Sequence, residues 1–274
     1  MHMDDKIILK KTDMTHLIWS KYRHSSGTAG SFLKAYEEVD GKKIYYKLSA
    51  FNRERGVYGH ECVNEVIVDR LLTLFDIDHV PYRLIRSDVI IEGDPYEAYV
   101  CASDDFKKSG EKKIAFDIYY EKNKKEKEKP IGFCDRMGWR KEIDAMLLID
   151  YLILNRDRHG ANIEVLKDPN TKKTRLAPLY DHGLSLLFSC ITKEEVRNYD
   201  VMEDKRIQCF VGSDSAKENL NLIKRNPVNR MLSTKDREYL FYNMDDVIPE
   251  YLQDAIWDMI IKRWKAYEDM QNKR

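Results

Sequence analysis

The sequence predicts an α+β chain in two parts: a β-rich N-terminal part with one long helix, then a mainly helical C-terminal part. Three observations carry this. β-rich runs on either side of Asp40-Gly41 read as an antiparallel hairpin, because Asp-Gly is a two-residue hairpin turn. An apolar pattern of helical period then spans residues 58–76, and beyond residue 130 amphipathic helical stretches dominate. At 274 residues the chain can bury a large core as one domain or two lobes. The division is expected at the end of the last strand of the first part, giving 1–102 and 103–274.

In chain order, residues 7–19 hold two short apolar patches and predict an edge strand and a turn. The hairpin strands are placed at about 31–38 and 43–49. The small residues 25–31 sit on the turn entering the first strand, where the lack of side-chain bulk lets backbone N–H groups approach phosphate oxygens. In the helix over 58–76, Val63, Val66, Ile67, Leu71, Leu74 and Phe75 face inward, with Asp69 and Arg70 facing away. Strands follow at 80–86, 89–91 and 96–102. From 103 to 130 the composition turns charged, most densely at 107–113 and 121–129; the second run reads as a solvated segment or mobile loop rather than a basic docking surface, because glutamates are interleaved. A helix over 139–154 leads into the polar stretch 155–160, with a short strand at 163–166. Ser233-Thr234 caps a helix at 235–245, and Pro249 opens a last helix to about 270, with Leu252, Ile256, Met259, Ile260 and Trp264 inward.

Lys+Arg and Asp+Glu both number 47, so the zero net charge implies no general attraction to nucleic acid or to a membrane surface. The five cysteines are scattered, without metal-ligand or redox spacing, which speaks against a disulfide framework or a zinc site. No apolar run reaches the ~20 residues of a membrane span, and the opening Met-His-Met-Asp-Asp is no signal peptide. The expectation is a cytoplasmic protein, with secretion by a route that needs no signal left open.

The chemistry concentrates at two places. Asp157 and Asn162 lie in the polar stretch after a helix, and Asp181 follows in Tyr180-Asp181-His182-Gly183. A base, a metal ligand and a second metal ligand in that order are what phosphoryl transfer needs, because such catalysis rests on Mg²⁺ held by carboxylate and amide oxygens and on a carboxylate facing the acceptor hydroxyl. The other local reading is a polar turn whose Asp and Asn cap backbone N–H groups. In the N-terminal part, Gly27 and Gly30 precede the hairpin and Lys47 stands on its returning strand. A glycine turn, a hairpin and a strand lysine form the arrangement of protein kinases rather than the Walker type, whose lysine directly follows the glycines. Glu65 on the following helix is the candidate partner of Lys47, and Glu61, one turn earlier, competes with it.

On Ser26-Gly27-Thr28-Ala29-Gly30-Ser31, Lys47, Glu65, the run from Asn155 through Asp157, Arg158 and His159 to Asn162, and Tyr180-Asp181-His182-Gly183, the chain resembles the HipA-like Ser/Thr kinases. It is most similar to the short forms, including the small cell-translocating type, over about residues 20–264. The resemblance implies a bilobal kinase fold using ATP and Mg²⁺, with Asp157 as catalytic base, Asn162 and Asp181 as metal ligands, and Lys47 on the phosphates with Glu65 as its partner. Residues 26–31 would lie over the nucleotide, with Val100 and Ala102 near the adenine at the lobe junction. It also implies a protein substrate, with translation factors or aminoacyl-tRNA synthetases as the family analogy, and autophosphorylation on a serine in the hydroxyl-rich stretch Ser25, Ser26, Thr28 and Ser31, expected at Ser25 or Ser26. The long HipA forms carry an N-terminal module without a counterpart here, so an antitoxin partner is possible but not indicated. Asn155 stands where eukaryotic kinases have histidine, and His182 where they have phenylalanine; His159 and His182 are expected to order the loop. A lipid or small-molecule kinase and a nucleotide-binding pseudokinase are the competing functions.

Overall fold

The computed structural model describes residues 6–22 and 29–273. Its N-terminal part is a six-stranded sheet, built from β1 (Ile7–Asp13), β2 (Ser20–Tyr22), β3 (Ala29–Val39), β4 (Lys42–Leu48), β7 (Arg83–Ile91) and β8 (Asp94–Asp104), in the order β1-β7-β8-β4-β3-β2. A small hairpin, β5 (Ala50–Asn52) and β6 (Gly56–Tyr58), follows β4. The Asp40-Gly41 turn is as expected, with φ of 50° and 74°, the left-handed pair that a two-residue hairpin needs. β1 is the expected edge strand and runs parallel to β7.

The strands expected at 80–86 and 89–91 are a single strand, β7. The polar Ser87-Asp88 does not break it, because the buried Ser87 hydroxyl donates to Ile85 O and the Asp88 carbonyl accepts from Met14 N. Helix α1 (Glu61–Leu74) lies under this sheet. Asp69 and Arg70 do not face away from the core as expected; both are buried, because the helix is covered on both sides. Asp69 accepts from His79 Nε2 at 2.7 Å and from Lys6, while Arg70 donates to the carbonyls of Leu240 and Tyr242 at 2.9 and 2.8 Å.

Of the charged stretch after residue 103, the run 121–129 is exposed along almost its whole length, as expected of a solvated segment, but the stretch also carries structure. It contains β9 (Lys112–Ala115) and α2 (Phe116–Asn123), where Phe116 and Tyr120 are buried against Phe133 and Phe210. These apolar residues anchor the segment although charges surround them in sequence. Next come α3 (Pro130–Met137), opened by proline and closed by Gly138 at φ 76°, and α4 (Arg140–Leu152). The two-residue β10 (Asp157–Arg158) precedes β11 (Glu164–Lys167) and β12 (Thr174–Leu176), and β11 lies between β12 and β9 in a three-stranded sheet.

Short elements fill the next stretch: α5 (Lys193–Asn198), β13 (Gln208–Cys209) and α6 (Ala216–Asn219). The chain ends in α7 (Thr234–Leu240), shorter than expected, and α8 (Glu250–Gln271), whose Leu252, Ile256, Met259, Ile260 and Trp264 are all buried. One apolar core joins α1 to the helical part, and a second fills the other face of the sheet. Among the described residues no helix is long and apolar enough to cross a membrane.

Candidate active site

A cavity of about 300 Å³ opens between the six-stranded sheet and β11, and Lys47, Glu65 and Asp181 meet at its inner end. Lys47 lies in the middle of the sheet, opposite Cys101 of β8. Its ammonium donates to Glu65 Oε1 at 2.8 Å and to Asp181 Oδ1 at 2.7 Å. Burial works against the charge on Lys47, but the two carboxylates outweigh it and hold the pKa well above its ordinary value. The second oxygen of Glu65 accepts from the backbone N–H of His182 at 2.7 Å, so one carboxylate ties the sheet lysine to the segment carrying Asp181. The lysine's partner is thus Glu65. Glu61 instead turns to the backbone N–H of Ala50 at 3.4 Å, and burial raises its pKa.

Gly183 allows this close meeting: a Cβ there would lie 3.0 Å from Lys47 Nζ and 3.2 Å from Glu65 Oε1. Asn64, next to Glu65 on α1, donates to the carbonyls of Gly183 and Ser185 at 3.1 and 2.9 Å. Asp181 itself has φ 58°, an unusual backbone for a non-glycine residue, and its N–H is bonded to the hydroxyl of Tyr82 at 3.2 Å.

The second half of the site hangs from the end of α4, where Leu154 takes a left-handed φ of 49° and turns the chain into the polar stretch. Arg156 N donates to Leu184 O at 2.9 Å, and β10 pairs in parallel with β13. Asn162 Nδ2 donates to the Asp157 carbonyl at 2.7 Å and lies 3.3 Å from its carboxylate, so these two side chains are brought together. His159 Nδ1 accepts from Ala161 N at 3.1 Å, which leaves the proton of the neutral ring on Nε2, 3.6 Å from Asp157 Oδ1. His182 is buried, and burial, with Arg158 adding, holds its pKa well below the usual histidine range. Asn155 closes the turn, donating to Asp150 and accepting from Asp157 N.

Sequence reasoning quoted Arg158 within the motif without giving it a role and did not single out Asp150; the two support this loop. Arg158 is 1% exposed and meets both oxygens of Asp150 at 2.9 Å. Its Nη1 also donates to the carbonyls of Asn162 and Tyr180, each at 3.0 Å. One guanidinium therefore joins the Asp157–Asn162 loop to the segment of Asp181. Burial opposes its charge and Asp150 outweighs the burial, raising the pKa. The signal was present in the sequence, as an aspartate within the apolar run 146–154 that needs a buried cation beside it.

The other expected residues fall differently. Val100 and Ala102 belong to the apolar core on the far face of the sheet, while Cys101, Ser103 and Asp104 line the cavity. β8 also lies between β4 and β7, so its backbone there is engaged in the sheet on both sides. Ser26, Gly27 and Thr28, with Ser25, lie outside the described residues; Ala29, Gly30 and Ser31 are already in β3. Among the described residues no group of three or more His, Cys, Asp or Glu side chains forms a metal cage. Asp181 lines the cavity and Asn162 is held against Asp157; a carboxylate and an amide oxygen are the donor types that Mg²⁺ takes, with water and phosphate completing its shell.

No family model matches the chain, and no curated protein matches it by sequence. Solved structures do. A Helicobacter pylori proinflammatory kinase, CtkA, superposes with a TM-score of 0.63 at 14% identity, over 93% of this chain and 95% of that one. HipA of Shewanella oneidensis, from a toxin–antitoxin complex with HipB and operator DNA, gives 0.46 at 13% identity, over 91% of this chain and 66% of that one. The Golgi casein kinase gives 0.36 at 13% identity, over 89% and 73%. The likeness to the H. pylori kinase shows that the chain has a kinase fold, as expected from the motifs.

Proposed function

We propose, from this kinase fold and its site, that the chain is an ATP- and Mg²⁺-dependent Ser/Thr protein kinase of the HipA-like type. The observation that carries the reading is the Lys47 ammonium held between Glu65 and Asp181, at 2.8 and 2.7 Å. A cation so fixed at the inner end of a cavity is placed to receive phosphate oxygens without reorganising, and preorganised charge of this kind is the main catalytic resource of phosphoryl transfer. Asp157 accepts the proton of the acceptor hydroxyl. Asn162 anchors the loop through its amide nitrogen, and its oxygen, with the Asp181 carboxylate, would hold Mg²⁺. The metal, when bound, neutralises charge on the phosphates. Arg158 keeps the base and the metal segment in register. Self-modification would fall on Ser25 or Ser26, in the segment before β3.

Incubation of the full chain with γ-labelled ATP and Mg²⁺, alone and with a cell extract, tests the reading. Phosphoserine or phosphothreonine on protein, absent with Asp157→Asn, is the expected result. Label transferred only to lipid or a small molecule would replace the protein substrate, and no transfer with intact nucleotide binding would make the chain a pseudokinase.

A further inference from the structure

The outer end of the cavity has aromatic walls that the phosphate chemistry does not use. Strand alternation places Lys43 and Tyr45 on the same side of β4 as Lys47, and all three line the cavity. In the V-A-I-K strand of protein kinases the residue two before the lysine is alanine. Here the strand reads Ile44-Tyr45-Tyr46-Lys47, so a ring stands where that pattern has a methyl group. Across the cavity, the rings of Phe106 and Tyr180 lie 5.4 Å apart, tilted by 34°.

The cations around these rings stack on them. Lys113 Nζ lies 3.9 Å from the centre of Phe106 and 5.3 Å from that of Tyr45, and it is paired with Asp105 at 2.8 Å. On the other side, Lys43 Nζ is 3.6 Å from Tyr36 and again 5.3 Å from Tyr45. Burial, then the Asp105 and Glu164 carboxylates and Tyr36, push the Tyr45 phenol up to about 12, so it stays neutral across the physiological range. Tyr45 as a residue is 37% exposed, which leaves room for a flat group to cover its ring.

We propose that Tyr45 is a specificity-determining residue: its ring is a stacking wall for the nucleotide base and makes the cavity favour purine over pyrimidine triphosphates. The inference rests on the kinase reading above. A purine presents two fused rings to the wall where a pyrimidine presents one, and stacking gains scale with the face covered. Lys47, two residues further along the same face of β4, would hold the phosphate end, so base and phosphate contacts are separable by mutation. Stacking on one aromatic side chain accounts for roughly ten-fold or more in affinity.

The test is calorimetric binding of ATP, GTP, CTP and inorganic tripolyphosphate, each with Mg²⁺, to the full chain as wild type, Tyr45→Phe, Tyr45→Leu and Tyr45→Ala. Wild type and Tyr45→Phe should prefer ATP and GTP to CTP by about ten-fold. Tyr45→Leu, which retains apolar bulk, and Tyr45→Ala should lose that preference while binding tripolyphosphate as wild type does. ATP binding that is unchanged or tighter in both variants overturns the inference. So does a loss shared equally by ATP and tripolyphosphate, which would be a lesion of the fold or the phosphate site. A wild type that binds tripolyphosphate but shows no purine preference also overturns it and leaves the phosphate site standing; one that binds neither overturns the kinase reading itself.

Discussion

Arg158 and Asp150 face each other through two hydrogen bonds of 2.9 Å, with both side chains almost completely buried. The aspartate belongs to a helix and the arginine to the loop that follows it, so the pair fixes the angle at which the loop leaves the helix. Removing one partner strands the other charge inside the protein. Asp150→Ala and Arg158→Met should each lower unfolding free energy by about 3–5 kcal/mol. Urea unfolding would measure this. A loss under ~1 kcal/mol in both would mean that the pair is reached by water and supports nothing.

Lys47 and Glu65 should behave as one unit. Lys47→Ala and Glu65→Ala should each reduce turnover strongly, and the double variant should be barely worse than the worse single one, because each change already disconnects the ammonium from its seat. Fully additive losses in kcat would separate the two residues and assign Glu65 to His182 alone.

Asp181 and Asp157 should part company in a binding titration. Asp181→Ala removes a candidate Mg²⁺ carboxylate and one of the two partners of Lys47, so Mg²⁺-dependent ATP binding and activity should both fall. Asp157→Asn should abolish transfer and leave ATP binding near wild type. Normal binding and transfer in both variants would show that the site lies elsewhere.

Stability should depend on pH through two buried histidines. His60, pushed down to about 4 by burial, and His182, held well below the usual range by burial with Arg158 adding, stay neutral in the folded chain. Unfolded, both take up protons below about pH 6.5, so the unfolded state binds more protons there and stability falls as the pH drops. The full contribution is present above about 6.5 and declines by about 1.4 kcal/mol per pH unit for each histidine until its folded-state pKa is reached. Urea midpoints between pH 7 and 5 should show this slope, and His60→Phe should flatten it. An unchanged slope in that variant would place the titration on other groups.

The parts legible in the sequence were those whose local pattern and tertiary role agree. Asp40-Gly41 specifies its turn through backbone conformation alone. Lys47, Glu65, Asp157, Asn162 and Asp181 stood out because polar groups at those spacings answer a chemical need, and the fold brings Lys47, Glu65 and Asp181 together, with Asn162 against Asp157. The misses have physical reasons. The backbone at Val100 and Ala102, expected to meet the adenine edge, is paired to β4 on one side and β7 on the other, while their side chains lie in the apolar core. Phe116 and Tyr120 anchor a strand–helix unit inside a charged stretch, where two aromatic residues outweigh many solvated lysines. Arg70 looked solvent-facing because its partners, the carbonyls of Leu240 and Tyr242, lie far along the chain.

That arginine changes what α1 can do. Kinases commonly use the position of the helix carrying the lysine's glutamate as an on–off control. Here the helix is bolted at several points: Asn64 to Gly183 and Ser185, Arg70 to Leu240 and Tyr242, and Phe75, just past its end, stacked on Trp264 of α8 at 5.2 Å. Swinging it outward would break all of these at once and expose core on both sides. The glutamate therefore rides on a strut rather than a lever, and on the proposed kinase reading a brake would act at the mouth of the cavity instead of withdrawing Glu65 from it.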